Sequence, residues 1–175
     1  MRRLGFALAL AVAPLLAGCG MGSAAQTQAA AHPKAPIVLT GRVVDNASLL
    51  PAATQQSLVQ RLEVLEKKAG PQMVIVTVPD LQGMTIEAFG RALGNGWGIG
   101  DKARNDGVLL IVAPNERKTR IEVGIGLEST LTNALSQQII ETDMIPHFKA
   151  NDFEAGIKAG ADRIIGVLTL HPTRT

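Results

Sequence analysis

The chain has 175 residues, of which 46% are hydrophobic, and this suffices for one domain of ordinary size with a core of its own. Its formal charge is +2, but Arg2 and Arg3 lie in a segment that we expect to be removed, which leaves 15 basic against 15 acidic residues. A neutral domain without a basic run has no electrostatic footprint for nucleic acid, so the sequence excludes that class of partner.

The first 18 residues have the form of a signal peptide. A basic start at Met1–Arg3 precedes an apolar stretch, Leu4–Leu16, that is too short to span a bilayer. The tetrad that ends at Cys19 (Leu-Ala-Gly-Cys) resembles a lipobox, which implies that Cys19 becomes the lipidated first residue of the mature protein. We therefore expect a membrane anchor, and Gly20 after the cysteine favours the outer membrane, facing the periplasm, in a Gram-negative cell. The alternative is an ordinary secretory signal with a chance cysteine.

The chain after Cys19 divides into a tether, one domain and a tail. Residues 19–36 are rich in Ala, Gln and Pro with almost no charge, which is typical of a tether. Residues 37–170 carry the apolar periodicity of a folded domain, and residues 171–175 form a polar tail that we expect to fray. Cys19 is the only cysteine, so no disulfide can form within the chain and no zinc-thiolate site can be built.

The domain alternates between strand and helix patterns. In chain order, the sequence predicts an extended piece at 37–44, helix 52–69 with Pro51 at its first position, strand 73–78, helix 85–93, a loose glycine-rich stretch 94–100, strands 108–112 and 119–123, a helix after Thr130 or Thr132 that Pro146 ends or kinks, and a last helix capped by Asp152. The order strand, helix, strand gives a parallel crossover, and the turn at 114–118 makes the next two strands an antiparallel hairpin.

That hairpin brings polar residues to one end of the sheet. Asn105 and Asp106 precede its first strand, and Gly124–Glu128 follows its second strand. Carboxylate and amide oxygens on glycine-bearing loops are the ligands that hard cations such as Ca²⁺ prefer. The sequence therefore favours a divalent-cation site at this hairpin end, although each residue taken alone has an ordinary structural explanation. Asp45 raises a topological difficulty, because the helix after it should run antiparallel to the central strand and so place Asp45 at the opposite end from Asp106.

Other chemistries have weak signals. The glycines at 94–100 and 124–126 never form G-x-G-x-x-G between a strand and a helix, and no Gly-Lys-Ser/Thr occurs, so we expect no nucleotide. His147 is the only histidine inside the predicted domain, and no serine lies in a nucleophile elbow, so a catalytic triad is not indicated.

Several segments together resemble the TPM domain family. The carrying residues lie in order at matching spacings, and they are Leu39–Ala47 with Leu49-Leu-Pro51, Val74–Pro79, Trp97–Gly100, Asp106–Lys118, Arg120–Glu128, Ile145–Lys149 and Asn151–Gly156. The resemblance implies a three-layer α/β/α sandwich with a small mixed sheet of about four strands, which agrees with the α/β pattern above.

The resemblance also implies divalent-cation binding at acidic positions, which fall here on Asp45, Asn105, Asp106 and Glu128. It implies a weak acid phosphatase activity as well, in which a metal would polarise phosphate and activate water. In this chain, Asn105 and Asp106 stand in the reverse order of the frequent Asp-Asn-Gly, and Ile125 replaces a frequent tyrosine.

Three hypotheses follow for function. The first is a lipid-anchored envelope module that binds a divalent cation, Ca²⁺ in first place, and acts through envelope or membrane proteins. The second is a metal-assisted phosphatase of weak activity. The third is an interaction module that binds no metal.

Overall fold

Four strands form one mixed sheet at the centre of the domain. The computed structural model describes residues 35–173, so the predicted signal peptide, Cys19 and most of the tether lie outside the described residues. The strands are β1 (Val43–Asp45), β2 (Gln72–Thr77), β3 (Gly107–Ala113) and β4 (Lys118–Val123), and they lie in the order β1-β2-β3-β4. β1, β2 and β3 are parallel, whereas β4 pairs antiparallel with β3. The predicted parallel crossover and the predicted hairpin are both confirmed.

Helices cover both faces of this sheet. They are α1 (Ala52–Ala69), α2 (Ile86–Trp97), α3 (Asn133–Ile139), α4 (Ile145–Lys149) and α5 (Phe153–Leu170). Successive side chains of a strand point to opposite faces, and β3 is buried along its whole length because both faces are covered. Its residues Val108, Leu110 and Val112 join the core under α1 and α5, while Leu109 and Ile111 join the smaller core under α2. The three-layer α/β/α sandwich is therefore confirmed.

Most predicted helix starts are confirmed by their caps. Thr85 accepts the Ala88 N–H at 3.2 Å, Thr132 accepts the Leu135 N–H at 3.2 Å, and Asp152 accepts the Ala155 N–H at 2.9 Å. These bonds satisfy backbone donors that a helix leaves open in its first turn. Pro51 differs from expectation, because it has an extended conformation just before α1 instead of occupying the first helical position.

α2 extends further than the glycine content predicted. We expected a loose stretch from Gly94 onward, but α2 continues to Trp97 and ends at Gly98, which has φ +62°. Gly96 is needed there because a Cβ would lie 2.7 Å from the backbone nitrogen of Ala35, where the start of the described chain crosses the helix. Trp97 also donates its indole N–H to the Ile37 carbonyl at 2.9 Å. Tertiary packing thus overrides the low helix propensity of glycine.

The predicted helix after Thr132 is divided by one wide turn. α3 passes into a π-helical turn, Ile140–Met144, and α4 begins immediately after it with Pro146 near its start. This arrangement fits the expected kink, because proline is tolerated only in the first turn of a helix. α5 packs closely on this region, since a Cβ at Gly156 or Gly160 would lie 2.5 Å from Phe148 or Met144. Among the described helices, none is long and apolar enough to cross a membrane.

Candidate functional site

The hairpin end consists of two backbone segments that cross at short range. The loop before β3 and the segment after β4 are joined by hydrogen bonds from Gly124 N–H to Gly107 O at 2.8 Å and from Gly126 N–H to Asn105 O at 3.1 Å. A short 3₁₀ turn, Ile125–Leu127, continues from there and buries Leu127 in the core. The predicted meeting of these two segments is confirmed.

Glycine is required at this crossing because no room exists for a Cβ. A Cβ at Gly126 would lie 1.8 Å from Arg104 O, and one at Gly124 would lie 2.2 Å from Asn105 O. A Cβ at Gly100 would lie 2.4 Å from Gly107 N, and one at Gly107 would lie 2.3 Å from Ile99 O. These glycines therefore permit backbone-to-backbone packing and fix the shape of the hairpin end.

Asp106 is fully buried at the centre of the hairpin end. Its Oδ1 accepts the Asp101 N–H at 2.9 Å, and its Oδ2 accepts the Arg104 Nε–H at 2.8 Å and the Thr173 hydroxyl at 2.7 Å. A buried carboxylate has to be paired and hydrogen-bonded, and Arg104 provides the opposite charge. Both oxygens of Asp106 are therefore engaged by donors of the protein itself.

These contacts set the direction of the Asp106 titration. Burial raises the pKa of this carboxyl, but hydrogen bonds from Arg104, the Asp101 backbone and Thr173, together with the charge of Arg104, outweigh it. The net pKa lies below the ordinary aspartate value, so Asp106 is ionised at neutral pH.

The tail also belongs to the hairpin end. We expected the residues from His171 onward to fray, but Thr173 donates its backbone N–H to Ala69 O at 2.7 Å in addition to its bond with Asp106. That expectation was wrong as far as Thr173, because a buried acceptor at the end of the sheet holds the chain after α5.

Asn105, Asp101 and Glu128 lie on the outside of the same end and are exposed. Asn105 has φ +50°, a left-handed conformation that asparagine tolerates better than most residues. Asp101 accepts the backbone N–H groups of Ala103 and Arg104 at 2.9 and 3.1 Å, and its second oxygen lies 3.6 Å from Arg104 Nη1. Arg104 thus lies between the carboxylates of Asp101 and Asp106.

Asp45 lies at the opposite end of the sheet, where β1 and β2 end. It ends β1 opposite Thr77, whereas Asp106 precedes β3 beside the start of β2. The Asp45 carboxylate accepts the N–H groups of Leu49 and Leu50, both at 3.0 Å, the Gln55 amide at 3.2 Å and the Thr77 hydroxyl. The topological expectation is confirmed, and Asp45 fixes the loop before α1.

The four predicted ligands consequently do not fit a single cation. Asp45 lies at the opposite end of the sheet, and both carboxylate oxygens of Asp106 accept hydrogen bonds from the protein itself. Of the four predicted ligands, only Asn105 and Glu128 are therefore accessible. Within residues 35–173, no three His, Cys, Asp or Glu side chains are grouped so that they could hold a metal. Cation binding at the hairpin end stays a prediction, and it would require Arg104 to move or exposed oxygens to suffice.

A second candidate surface is a groove at the carboxyl end of β3. Its volume is about 780 Å³. Its floor is formed by Ile140, Ile145, Phe148 and Phe153, and the rings of the two phenylalanines stack with centroids 5.2 Å apart. Arg117 and Lys149 also line this groove, and no acidic residue does. We refer to this surface as the β3 groove.

Sequence reasoning missed the β3 groove. The turn before β4 was interpreted only as a chain reversal, and the segment Ile145–Lys149 only as a match to a family pattern. A usable signal was available, since carboxyl ends of parallel strands are the usual ligand edge of an open α/β sheet.

Comparison with known proteins agrees with the fold. The model of the TPM domain matches residues 43–167. The N-terminal domain of a protein from P. gingivalis is 31% identical, with a TM-score of 0.71 over 78% of this chain and 88% of that one. No curated protein sequence matches the chain.

Two more distant solved structures share the fold alone. The N-terminal domain of a Corynebacterium glutamicum protein is 13% identical, with a TM-score of 0.59 over 80% of this chain and 88% of that one. The protein BA42 from the psychrophilic bacterium Bizionia argentinensis is 15% identical, with a TM-score of 0.61 over 73% of this chain and 88% of that one.

Proposed function

The chain belongs to the TPM domain family, and we propose that it is a lipid-anchored envelope module that acts through protein partners and binds a divalent cation. The hairpin end carries the proposal. Close backbone packing at Gly124 and Gly126 fixes its shape, while Asn105, Ile125 and Glu128 stay exposed on it. A surface that is rigid before binding loses little conformational entropy when a partner docks.

The anchor rests on the sequence around Cys19. Replacing Cys19 with Ser removes the thiol that would carry the acyl chains, so the protein should lose incorporated labelled palmitate and leave the membrane fraction. A second variant, Ser23→Cys in the Cys19→Ser background, tests whether a cysteine at another nearby position is enough for palmitate incorporation. Equal palmitate labelling of the unmodified chain and Cys19→Ser would rule out the proposed anchor.

Partner contact at the hairpin end can be tested by photo-crosslinking. Ile125 is 77% exposed, and Val64, within α1, is 47% exposed and serves as an apolar control outside the hairpin end. A photoreactive residue at Ile125 should yield discrete crosslinked envelope proteins in cells, and one at Val64 should not. Identical crosslink patterns from both positions would indicate non-specific collision and contradict the proposal.

The cation belongs to the exposed face of the hairpin end. Asn105, Glu128 and Asp101 offer oxygens of the type that Ca²⁺ prefers, and Asp106 would add its carboxylate only when Arg104 moves away. Arg104 therefore competes with the cation for the Asp106 carboxylate. Two like charges repel, so a Ca²⁺ ion and the guanidinium are expected to exclude one another.

Titration with Ca²⁺, followed by amide chemical shifts, tests this part separately. We expect saturable shifts at 105–107 and 124–128, tighter binding in Arg104→Gln, weaker binding in Glu128→Gln and no change in Glu141→Gln, which alters an exposed glutamate elsewhere. If no saturable shift appears up to millimolar Ca²⁺ in either the unmodified chain or Arg104→Gln, the cation is removed from the proposal and the partner role is untouched.

A further inference from the structure

We propose that the β3 groove binds an extended, acidic peptide segment of a partner protein. This inference rests on the proposed partner-binding function, and it assigns a second binding surface on this chain and the chemistry of the partner segment that binds there. The β3 groove lies at the opposite end of β3 from Asp106 and shares none of the residues of the hairpin end.

The position of the β3 groove suits a ligand site. Its wall includes Val112 and Ala113, the last residues of β3, and open α/β sheets bind ligands outside the carboxyl ends of their strands. Lys118 and Thr119, the first residues of β4, form the neighbouring part of the wall. In the described part of the chain, β4 pairs only with β3, so it is an edge strand. Edge strands can accept an added strand through their open backbone groups.

The floor of the β3 groove is apolar and preformed. The π-helical turn places Ile140 there, and wide turns of this kind occur frequently at functional sites. Phe148 is held in place by its stack on Phe153 and by the backbone of α5, which approaches so closely that Gly156 has no room for a Cβ. A floor fixed in this way can accept an apolar side chain without rearranging.

The charge of the rim selects the partner. Arg117 and Lys149 are exposed, and the side chain of neither forms a salt bridge or a hydrogen bond within the described residues. Lys118 also lines the β3 groove and adds a third positive charge there. With two unpaired cations and no carboxylate in the lining, the β3 groove is complementary to acidic side chains.

An extended peptide satisfies all three features together. Its backbone can pair with the start of β4, alternate apolar side chains can enter the floor, and the intervening acidic side chains can reach Arg117 and Lys149. A basic or neutral peptide lacks the acidic side chains that would reach Arg117 and Lys149. A compact domain lacks an extended backbone that could pair with β4.

The test uses two labelled synthetic peptides and amide chemical shifts of the full chain. One peptide alternates Glu and Val, and the other has Lys in place of every Glu. The Glu–Val peptide should give saturable shifts at 112–119 and 148–153, whereas the Lys–Val peptide should not. The double variant Arg117→Glu with Lys149→Glu should weaken the Glu–Val affinity about tenfold, since two exposed charge contacts become repulsive. Lys158→Glu with Arg163→Glu makes the same charge change on the exposed face of α5 and should leave the affinity unchanged.

Three outcomes would overturn the inference. One is the absence of saturable shifts with the Glu–Val peptide, and another is an equal loss of affinity in both double variants, which would indicate net charge alone. The third is that a single-chain anionic amphiphile such as dodecyl phosphate displaces the Glu–Val peptide and binds more tightly than the peptide does. That result would assign the β3 groove to a lipid.

Crosslinking from Thr119 separates this inference from the proposed function. Partner crosslinks from Ile125 without any from Thr119 would retain the partner role and overturn the β3 groove as its surface. Crosslinks from Thr119 that are lost in the Arg117→Glu, Lys149→Glu background would support the inference. No crosslinks from either position would contradict both.

Discussion

Arg104 donates its Nε–H to the buried Oδ2 of Asp106 at 2.8 Å, and this ion pair neutralises the one fully buried carboxylate of the described domain. A positive charge therefore already occupies the centre of the hairpin end, where the sequence predicted a divalent cation. Thr173 adds a second donor to the same oxygen, which ties the end of the chain to the end of the sheet.

The ion pair predicts a pH dependence of stability. Because the folded-state pKa of Asp106 is lowered below the ordinary aspartate value, near 3.9, its contribution is fully present above that value and is lost as pH falls towards the folded-state pKa. The free energy of unfolding should therefore fall below about pH 4, and Asp106→Asn should flatten this part of the profile. Urea denaturation between pH 3 and 7 measures both. Profiles of the same slope for the two proteins would show that Asp106 titrates normally.

Asp45 makes a second prediction, on stability and not on binding. Its carboxylate satisfies the Leu49 and Leu50 N–H groups and the Thr77 hydroxyl, so Asp45→Ala should lower the free energy of unfolding by about 2–4 kcal/mol. Asp80→Ala is the matched control, since Asp80 is exposed and accepts only the Gln82 N–H, and it should cost about 1 kcal/mol or less.

The Asp45→Ala variant also tests whether Asp45 and the hairpin end, which lie at opposite ends of the sheet, are independent of each other. Ca²⁺ shifts at 105–107, if present, should survive in Asp45→Ala at a temperature where the variant is folded, because Asp45 lies at the opposite end. Selective loss of those Ca²⁺-induced shifts in Asp45→Ala would show that cation binding at the hairpin end depends on Asp45.

The sequence was sufficient to predict the fold because its patterns are local. Five successive apolar residues after Gly107 indicate a strand buried on both faces, and Asp152 marks the start of α5 by its capping chemistry. The topology argument even placed Asp45 correctly, because alternating strands and helices restrict which ends of the elements can meet.

The chemistry of the hairpin end could not be predicted in the same way. Sequence spacing brought Asn105, Asp106 and Glu128 to one end, but it did not show that Arg104 and Thr173 would take both lone-pair positions of Asp106 Oδ2. Whether a carboxylate is a ligand or an internal acceptor depends on burial and on the partners that tertiary structure supplies. The lining of the β3 groove is likewise assembled by tertiary structure, since Arg117 and Phe148 are far apart in sequence, although the carboxyl end of β3 itself could be located from the strand order.

Gly126 gives a third prediction about the rigid crossing. A Cβ there would lie 1.8 Å from Arg104 O, so Gly126→Ala should separate the two segments and lower the free energy of unfolding by about 3 kcal/mol or more. Gly166→Ala is the control, because Gly166 lies in α5 with open space around its Cβ position and should gain about 0.5–1 kcal/mol. Thermal unfolding of both variants checks this, and a tolerated Gly126→Ala would show that the hairpin end is not locked.

Ser136 gives the last prediction, and its expected sign is unusual for a buried residue. Its side chain is buried in α3, and the hydroxyl oxygen has no hydrogen-bond partner in the described structure. An unsatisfied buried hydroxyl costs about 1–3 kcal/mol, whereas removing it leaves a space of only one atom. Ser136→Ala should therefore raise the free energy of unfolding by about 1 kcal/mol, also because alanine is the better helix former. Ser57→Ala, in the exposed part of α1, controls for helix propensity alone. Chemical denaturation compares the two variants, and a Ser136→Ala variant less stable than the unmodified chain would mean that the hydroxyl makes a bond after all.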